Sequence, residues 1–533
     1  MIASLALTTA LIAPPSAGEL DGYMKRLEAI GFSGAVLVTQ DDSVVLEKAY
    51  GWADRDHEIR MAGDTVFDLG SVTKQFTGAA ILKLESEGKL RTQDAIGRYF
   101  ADVPSDKKEI TLHHLLTHTS GLRSDFAESD YEPVGREEYQ KRALSSELLW
   151  APGTRYHYSN AGYSLLAAIV EMVSKERYET YLRERILKPL GIHETGYKEP
   201  GWSPSRIAHG YREGEDWGTI VERLSPEGAP FWMLRGNGGI HTTMKDVRLW
   251  HEALETDRFL PADFRKKLFT PFVNEDESGE TQYAYGWVVE KTPRGTRDIW
   301  HNGGNGIYMA ELHRFVDEGV LVFVASTVAE LPASPVFETI RRIVFGEPYE
   351  LPPATTDMPA SRLDELAGAT YRLANGGEIA LARLDSVLTV TLAGQEAYDA
   401  WELASVDRRR LHARTERTRE IAEKEISSDE EAEERLGKFV SLEVLGTGSG
   451  PRGLLVTEVR AEFERGSSHY RYVWREDELV DVQSTPRLRI PRLVPVSVNE
   501  WIAYDLVTGA GPRVTIDGDS LEIDGKIRAT RVK

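Results

Sequence analysis

The chain contains no cysteine among its 533 residues. A disulfide framework, a cysteine nucleophile and thiolate metal sites are therefore excluded together, and the redox compartment is left open. Cationic side chains are short relative to anionic ones, 64 Lys and Arg against 85 Asp and Glu, for a formal net charge of −21. Such a surface repels phosphate backbones and anionic lipid, so the expected partner is a small-molecule or peptide substrate and not nucleic acid or a membrane. Long apolar runs are missing too: no stretch approaches the roughly 20 apolar residues that cross a bilayer. The nearest is residues 2–13, rich in Ala, Leu and Ile and followed by Pro14-Pro15-Ser16-Ala17-Gly18. Residues 1–18 read as a signal peptide without its basic flank, which predicts a soluble protein, periplasmic or secreted.

What is present is a chain long enough for at least two domains, with 41% hydrophobic residues to fill their cores. Ser71 and Lys74 stand three positions apart in Phe67-Asp68-Leu69-Gly70-Ser71-Val72-Thr73-Lys74, where a turn enters an apolar helical pattern. At that spacing a neutral lysine amine can reach the serine hydroxyl and take its proton, and the helix start aims backbone N–H groups at a developing oxyanion. The plainer alternative is a capping serine and a solvated lysine.

Tyr158-Ser159-Asn160 follows the turn Ala151-Pro152-Gly153-Thr154 and precedes a helical run from Ala161 to Lys175. A phenol there could relay a proton and a carboxamide could hold a substrate amide or carbonyl, unless Asn160 or Ser159 simply caps the helix. A third element, Trp300-His301-Asn302-Gly303-Gly304-Asn305-Gly306, reads as an edge strand entering a hairpin. Its glycines would let the backbone approach a substrate, the Gly304 N–H could join the Ser71 N–H in an oxyanion hole, and His301 would add a titratable donor to the pocket wall. An ordinary glycine-rich turn is the alternative.

In order and spacing, Ser71-Val72-Thr73-Lys74, Tyr158-Ser159-Asn160 and His301-Asn302-Gly303 resemble the three motifs of the serine β-lactamase and penicillin-binding superfamily. Leu115-Leu116-Thr117-His118-Thr119-Ser120-Gly121-Leu122 and the segment Pro152-Gly153 to Gly162-Tyr163 resemble its class C-related branch, which includes D-aminopeptidases, D-Ala carboxypeptidases and carboxylesterases. The resemblance covers about residues 30 to 345. It implies Ser71 as nucleophile, Lys74 as its base, Tyr158 as proton shuttle, and substrate contacts from Asn160, His301, Asn302 and Gly303. The backbone of Ser71 and Gly304 would form the oxyanion hole. Many relatives carry Lys-Thr-Gly or Lys-Ser-Gly at the third motif. A lysine is a permanent cation suited to a substrate carboxylate, whereas a histidine is partly charged near neutrality, so substrates without a free carboxylate gain ground. Lys291-Thr292 is followed by Pro293 and reads as a strand end. Two functions stay open: an acyl-enzyme hydrolase of esters, D-amino acid amides or peptides, or β-lactams; and a slowly deacylating sensor whose C-terminal domain carries the main function.

The expected fold is α+β. Two N-terminal strands, Gly34 to Val38 and Ser43 to Gly51, would join later strands in an antiparallel sheet flanked by helices, with a helical region inserted between and the cleft in the groove. This hydrolase domain would span residues 19–345. Aromatic residues between 200 and 236 could wall the pocket. A Pro-rich linker, 346–360, precedes a β-rich domain over 361–533, expected to be a lipocalin-like barrel of the sort appended to some D-aminopeptidases. Within it, Arg414 to Lys438 reads as a solvated helix or loop, and Gly446 to Gly450 as a flexible turn lacking the ending of a phosphate loop. His113, His114 and His118 are clustered, but no Glu follows His114 as a metalloprotease motif requires. No metal or cofactor is expected.

Overall fold

Continuous apolar runs at both ends of the first 350 residues set the frame. The computed structural model describes residues 16–532 apart from 42, 125–128, 213, 225–230, 403–407, 430–431, 434–435, 451–453 and 486–490. The expected signal segment thus lies, up to residue 15, outside the described residues, and helix α1 (Ala17–Ala29) begins at its end. The described residues divide into two compact units, residues 16–21 with 33–349, and residues 22–32 with 350–532. Among the described residues, no helix is long and apolar enough to cross a membrane.

The first unit is built on eight strands: β1 (Gly34–Gln40), β2 (Ser43–Tyr50), β3 (Val273–Asn274), β4 (Thr281–Tyr283), β5 (Val288–Lys291), β6 (Arg297–Gly304), β7 (Met309–Phe315) and β8 (Val320–Ser326). They form one antiparallel sheet in the order β2-β1-β8-β7-β6-β5-β4-β3. The two ends of the unit meet where Gly34 faces Ser326 and Gln40 faces Val320. β8 is buried along its whole length, which is why its sequence is apolar at consecutive positions and does not alternate. Between β2 and β3 lies the helical region, with α2 (Lys74–Ser86), α3 (Leu112–Leu116), α4 (Asn160–Ser174) and α5 (Met244–Leu254). Helix α6 (Ala333–Val344) packs along β7 and β8, burying Val336, Phe337, Ile340, Ile343 and Val344, a stripe at helical spacing.

The third motif does not lie on an edge strand. β6 is interior, paired with β7 from Asp298↔Phe315 to Gly304↔Met309. Its pairing with β5, however, ends at Val288↔Trp300. From His301 onward that side of the strand is open to the helical region, so the segment behaves locally as an edge within a central strand.

On β7, His313 is buried between Asp298, 2.7 Å away, and Glu311, 3.3 Å away. Burial alone would lower its pKa, but the two carboxylates outweigh this and push it up to about 9. A group raised from an unfolded value near 6.5 adds stability that is complete below about pH 6.5 and lost as pH rises through 9, on the order of 3 kcal/mol. Denaturant melts of the first unit at pH 6 and pH 9.5 should show this loss, and His313→Gln should flatten the dependence.

The second unit holds a closed barrel of eight strands, as the lipocalin-like reading anticipates. After helix α7 (Ala360–Leu366) come β9 (Thr370–Leu373), β10 (Glu378–Leu384) and β11 (Val387–Ala393). The chain then leaves the barrel for α8 (Gln395–Trp401), α9 (Arg408–Ile426) and a four-stranded meander, β12 (Phe439–Ser449), β13 (Leu455–Phe463), β14 (Gly466–Arg475) and β15 (Glu478–Thr485). It returns as β16 (Arg492–Pro495), β17 (Glu500–Asp505), β18 (Gly509–Asp517), β19 (Ser520–Ile523) and β20 (Ile527–Arg531), and β20 closes on β9. Two expectations change here. The charged stretch from Arg414 is not simply solvated: α9 buries Leu411, Thr415, Thr418, Ala422 and Ile426, a narrow seam against the meander hidden among many charges. The segment Gly446 to Gly450 is not a turn either. Gly446 and Gly448 sit within β12, where the register shifts between Val444 and Gly446 and a side chain at Gly446 would strike the Tyr398 ring.

Candidate active site

Ser71 sits in a short 3-10 turn, Gly70–Thr73, that runs directly into α2 at Lys74. In a 3-10 turn residues i and i+3 eclipse, so the spacing brings the Lys74 amine under the Ser71 hydroxyl. The turn is entered through Gly70 at φ +50, a conformation that disfavours a side chain. The Gly70 N–H is held at 2.7 Å by Asp68 Oδ1, and Phe67–Asp68 itself pairs with His241–Thr242.

Lys74 is fully buried. Its Nζ lies 2.8 Å from Asn160 Oδ1, 2.9 Å from the Asn237 carbonyl oxygen and 3.0 Å from Ser71 Oγ. Two of these partners can only accept, so two N–H bonds are committed and the third direction of the amine faces Ser71. In the neutral amine that direction is a lone pair aimed at the serine proton. The Tyr158 ring lies alongside, its centroid 4.6 Å from Nζ.

The second motif divides its work between adjacent residues. Ser159 caps α4, accepting the Gly162 N–H at 3.2 Å. This frees Asn160 for Lys74 and settles which of the two is the cap. Tyr158, half-buried, stacks on His118 at 4.3 Å between centroids. His118 is buried at φ +57 and its Nδ1 accepts the Ser159 N–H at 3.0 Å, so the ring proton resides on Nε2. Burial first, then the neighbouring Lys74 charge, hold His118 well below the usual imidazole range. It serves as a neutral platform beneath Tyr158.

At the third motif the strand passes flush against the nucleophile turn. A Cβ on Gly303 would collide with the Leu69 carbonyl oxygen and the Ser71 nitrogen, and one on Gly70 would collide with the Gly304 nitrogen. The Ser71 and Gly304 amides therefore meet at a seam with no room for side chains, and both residues line the adjoining cavity of about 50 Å³. Gly303→Ala should cost about a hundredfold in kcat by prising this seam open, in line with the loss of one oxyanion donor, while circular dichroism stays native.

His301 does not behave as read from sequence. It is buried, with Nδ1 2.5 Å from the Asn302 carbonyl oxygen and Nε2 3.0 Å from Tyr283 Oη. The carbonyl can only accept, so Nδ1 carries the proton and Nε2 accepts from the tyrosine. Burial, then the Lys74 charge, push its pKa down to about 3. It is neutral across the physiological range and offers the pocket no donor. The Asn302 side chain is exposed.

Asn237 and Asp68 are site residues that motif reading missed. Asn237 is fixed by its own amide, donating to Ser164 Oγ at 2.8 Å and the Met233 carbonyl at 2.6 Å. The run Gly236-Asn237-Gly238-Gly239, with Gly236 and Gly239 at positive φ, is the only trace of it in the sequence. The histidine cluster disperses: His114 completes a capping box with Thr111, and His113 Nδ1 meets Tyr285 Oη at 2.8 Å. Because α3 ends at Leu116, His114 and His118 share no helical face. Among the described residues no group of His, Asp and Glu is arranged to hold a metal. From the 200–236 segment it is Ile220 and Leu234 that line the cavity, while Trp217 packs against Tyr131 and Tyr308.

A sheet assembled from both ends of its unit, a helical insertion, and a serine and lysine at the start of the inserted region's first long helix define a β-lactamase and transpeptidase type of protein. The beta-lactamase family model matches residues 20–344, and the chain belongs to that family. The chain is similar to penicillin-binding protein 4* of Bacillus subtilis (strain 168), 27% identical over 385 residues that span 68% of this chain and 84% of that one. Its structure resembles the octameric penicillin-binding protein homologue from Pyrococcus abyssi, with a TM-score of 0.57 at 19% identity over 96% of this chain and 99% of that one. It also resembles a penicillin-binding protein from Bacillus halodurans, with a TM-score of 0.53 at 24% identity over 60% and 99%. The family supports a serine hydrolase working through an acyl-enzyme.

Proposed function

We propose that Ser71 is the nucleophile of an exported hydrolase that cleaves an ester or amide lacking a free carboxylate. The observation that carries this is the Lys74 amine, its other two hydrogen-bond directions taken by Asn160 and Asn237 and its third facing Ser71 Oγ at 3.0 Å. Lys74 takes the Ser71 proton as Oγ bonds to the substrate carbonyl carbon. The oxyanion is held by the Ser71 and Gly304 amides. On collapse the bond to the alcohol or amine breaks, and Tyr158 passes the proton to that leaving group. Water then attacks the acyl-serine and restores the free hydroxyl. Asn160 positions both Lys74 and the substrate carbonyl or amide.

A neutral, internally bonded His301 supports the restriction on substrates, because the third motif then supplies no cation for a carboxylate. Turnover of p-nitrophenyl butyrate, nitrocefin and D-alanine p-nitroanilide tests the reading. Ester or amide release with little nitrocefin hydrolysis is expected. Nitrocefin turnover faster than both would refute the restriction. Stoichiometric labelling of Ser71 by a penicillin without turnover of any substrate would identify a sensor instead. Tyr158→Phe should lower kcat about thirtyfold with a small change in KM, less than the loss of the base, because water can replace a proton shuttle in part.

A further inference from the structure

A cavity of about 370 Å³ opens within the second unit, inside the range of roughly 300–1,000 Å³ that ligand pockets occupy. It is not the barrel lumen, whose core is filled by Trp501, Val514, Ile516, Leu521 and Ile523 among others. It sits at a gap in the barrel wall. β16 has four residues, and its pairing stops at Thr389↔Arg492 toward β11 and at Arg492↔Tyr504 toward β17. Past those pairs, Thr391 and Leu392 on one side and Asp505 on the other line the cavity, with no described strand between them. The next strand gives way at the same place. On β18 the register shifts so that Gly511 and Pro512 together oppose Ala503, and a Cβ on Gly511 would stand 3.2 Å from the Ala503 Cβ. The insertion supplies the facing wall through Tyr398 and Trp401 of α8, and a Cβ on Gly448 of β12 would stand 3.2 Å from the Tyr398 ring. A short strand, a bulge and a glycine contact thus adjoin one void, in an interior where close packing leaves few voids larger than a water.

We propose that this cavity is a second binding site, which takes an uncharged aromatic small molecule between Tyr398, Trp401 and Tyr504. These three side chains come from α8 and β17 and give a ring system flat apolar faces to lie against. Among the described residues lining the cavity there is no Lys or Arg, and four are acidic, so an anion is repelled. The four acids are already engaged in holding the walls. Glu402 accepts the Ser449 N–H at 3.1 Å and its hydroxyl at 2.7 Å, and Glu458 pairs with Arg471 at 3.0 Å. Asp505 accepts the Val507 and Thr508 amides at 2.8 and 3.1 Å, and Asp524 accepts the Arg513 amide at 2.8 Å. They exclude anions without forming a receptor for a cation. The inference does not depend on the chemistry at Ser71.

N-phenyl-1-naphthylamine and 8-anilino-1-naphthalenesulfonate share one skeleton, differ by one negative charge, and both brighten on leaving water. Fluorescence titration of the full chain should show saturable binding of the neutral dye at one site per chain, with the sulfonate weaker by about tenfold or more. Ala510→Leu, at an exposed position lining the cavity, should weaken the neutral dye about tenfold by filling its space. Trp401→Ala should do the same by removing a wall; if melting curves show that this variant has lost its fold, Ala510→Leu decides. Labelling Ser71 with a fluorophosphonate beforehand should leave the dye affinity unchanged. Three results overturn the proposal: no saturable binding of the neutral dye, a sulfonate that binds as tightly, or an affinity that neither folded variant moves. Loss of dye binding on labelling of Ser71 also overturns it, by placing the dye in the hydrolase cleft.

Discussion

Ser71→Ala lowers turnover of the best ester or amide substrate by about 10⁴-fold or more, the scale seen when a covalent nucleophile is removed and only binding and the oxyanion donors are left. The stability of the variant should hardly change. Ser71 is partly exposed and among the described residues its Oγ makes one bond, to Lys74, so its loss opens no core cavity. A stopped assay at high enzyme concentration, with melting curves in parallel, measures both. Residual turnover within tenfold of wild type would mean that another group carries the chemistry.

Lys74→Met lowers kcat by about 10³-fold, within the range for loss of a general base. Methionine keeps most of the side-chain volume and removes the nitrogen. The stability effect is the sum of two opposed terms. Asn160 Oδ1 and the Asn237 carbonyl lose a buried donor, which costs about 1–3 kcal/mol. Against this, a buried amine no longer has to be desolvated. A small net change in unfolding free energy together with a collapse of kcat is therefore the signature of a catalytic amine. A large loss of stability with kcat restored in the surviving folded fraction would make Lys74 a structural residue.

The local chemistry of the site was legible because it is written in short spacings. Ser71 with Lys74 and the triplet Tyr158-Ser159-Asn160 each need one turn of chain to be recognised. What could not be read was decided by partners far away. Asn237 meets Lys74 through a backbone carbonyl 163 positions distant, and a carbonyl leaves no mark in side-chain identity. The neutrality of His301 depends on burial against Tyr283 and on Lys74, neither of which a motif records. Sheet order shows the same division. β1, β2 and the strands after Tyr283 were legible from apolar runs, but the central place of β6 follows from pairing with β7 and β5. In the second unit some barrel strands alternate, such as β10 and β19, whereas β11 and β16 are buried at consecutive positions, α9 buries a narrow seam under a charged sequence, and the glycines of β12 face Tyr398 where a turn was expected.

On the proposed mechanism, one acyl-serine at Ser71 lies on the path of every turnover. Titrating the protein with a fluorophosphonate, while following hydrolysis and mapping the labelled peptide by mass spectrometry, tests it most directly. Activity should fall in strict proportion to labelling of the peptide containing Ser71 and reach zero at one label per chain. Activity that persists with Ser71 fully labelled, or that disappears with the label on a different residue, would contradict it.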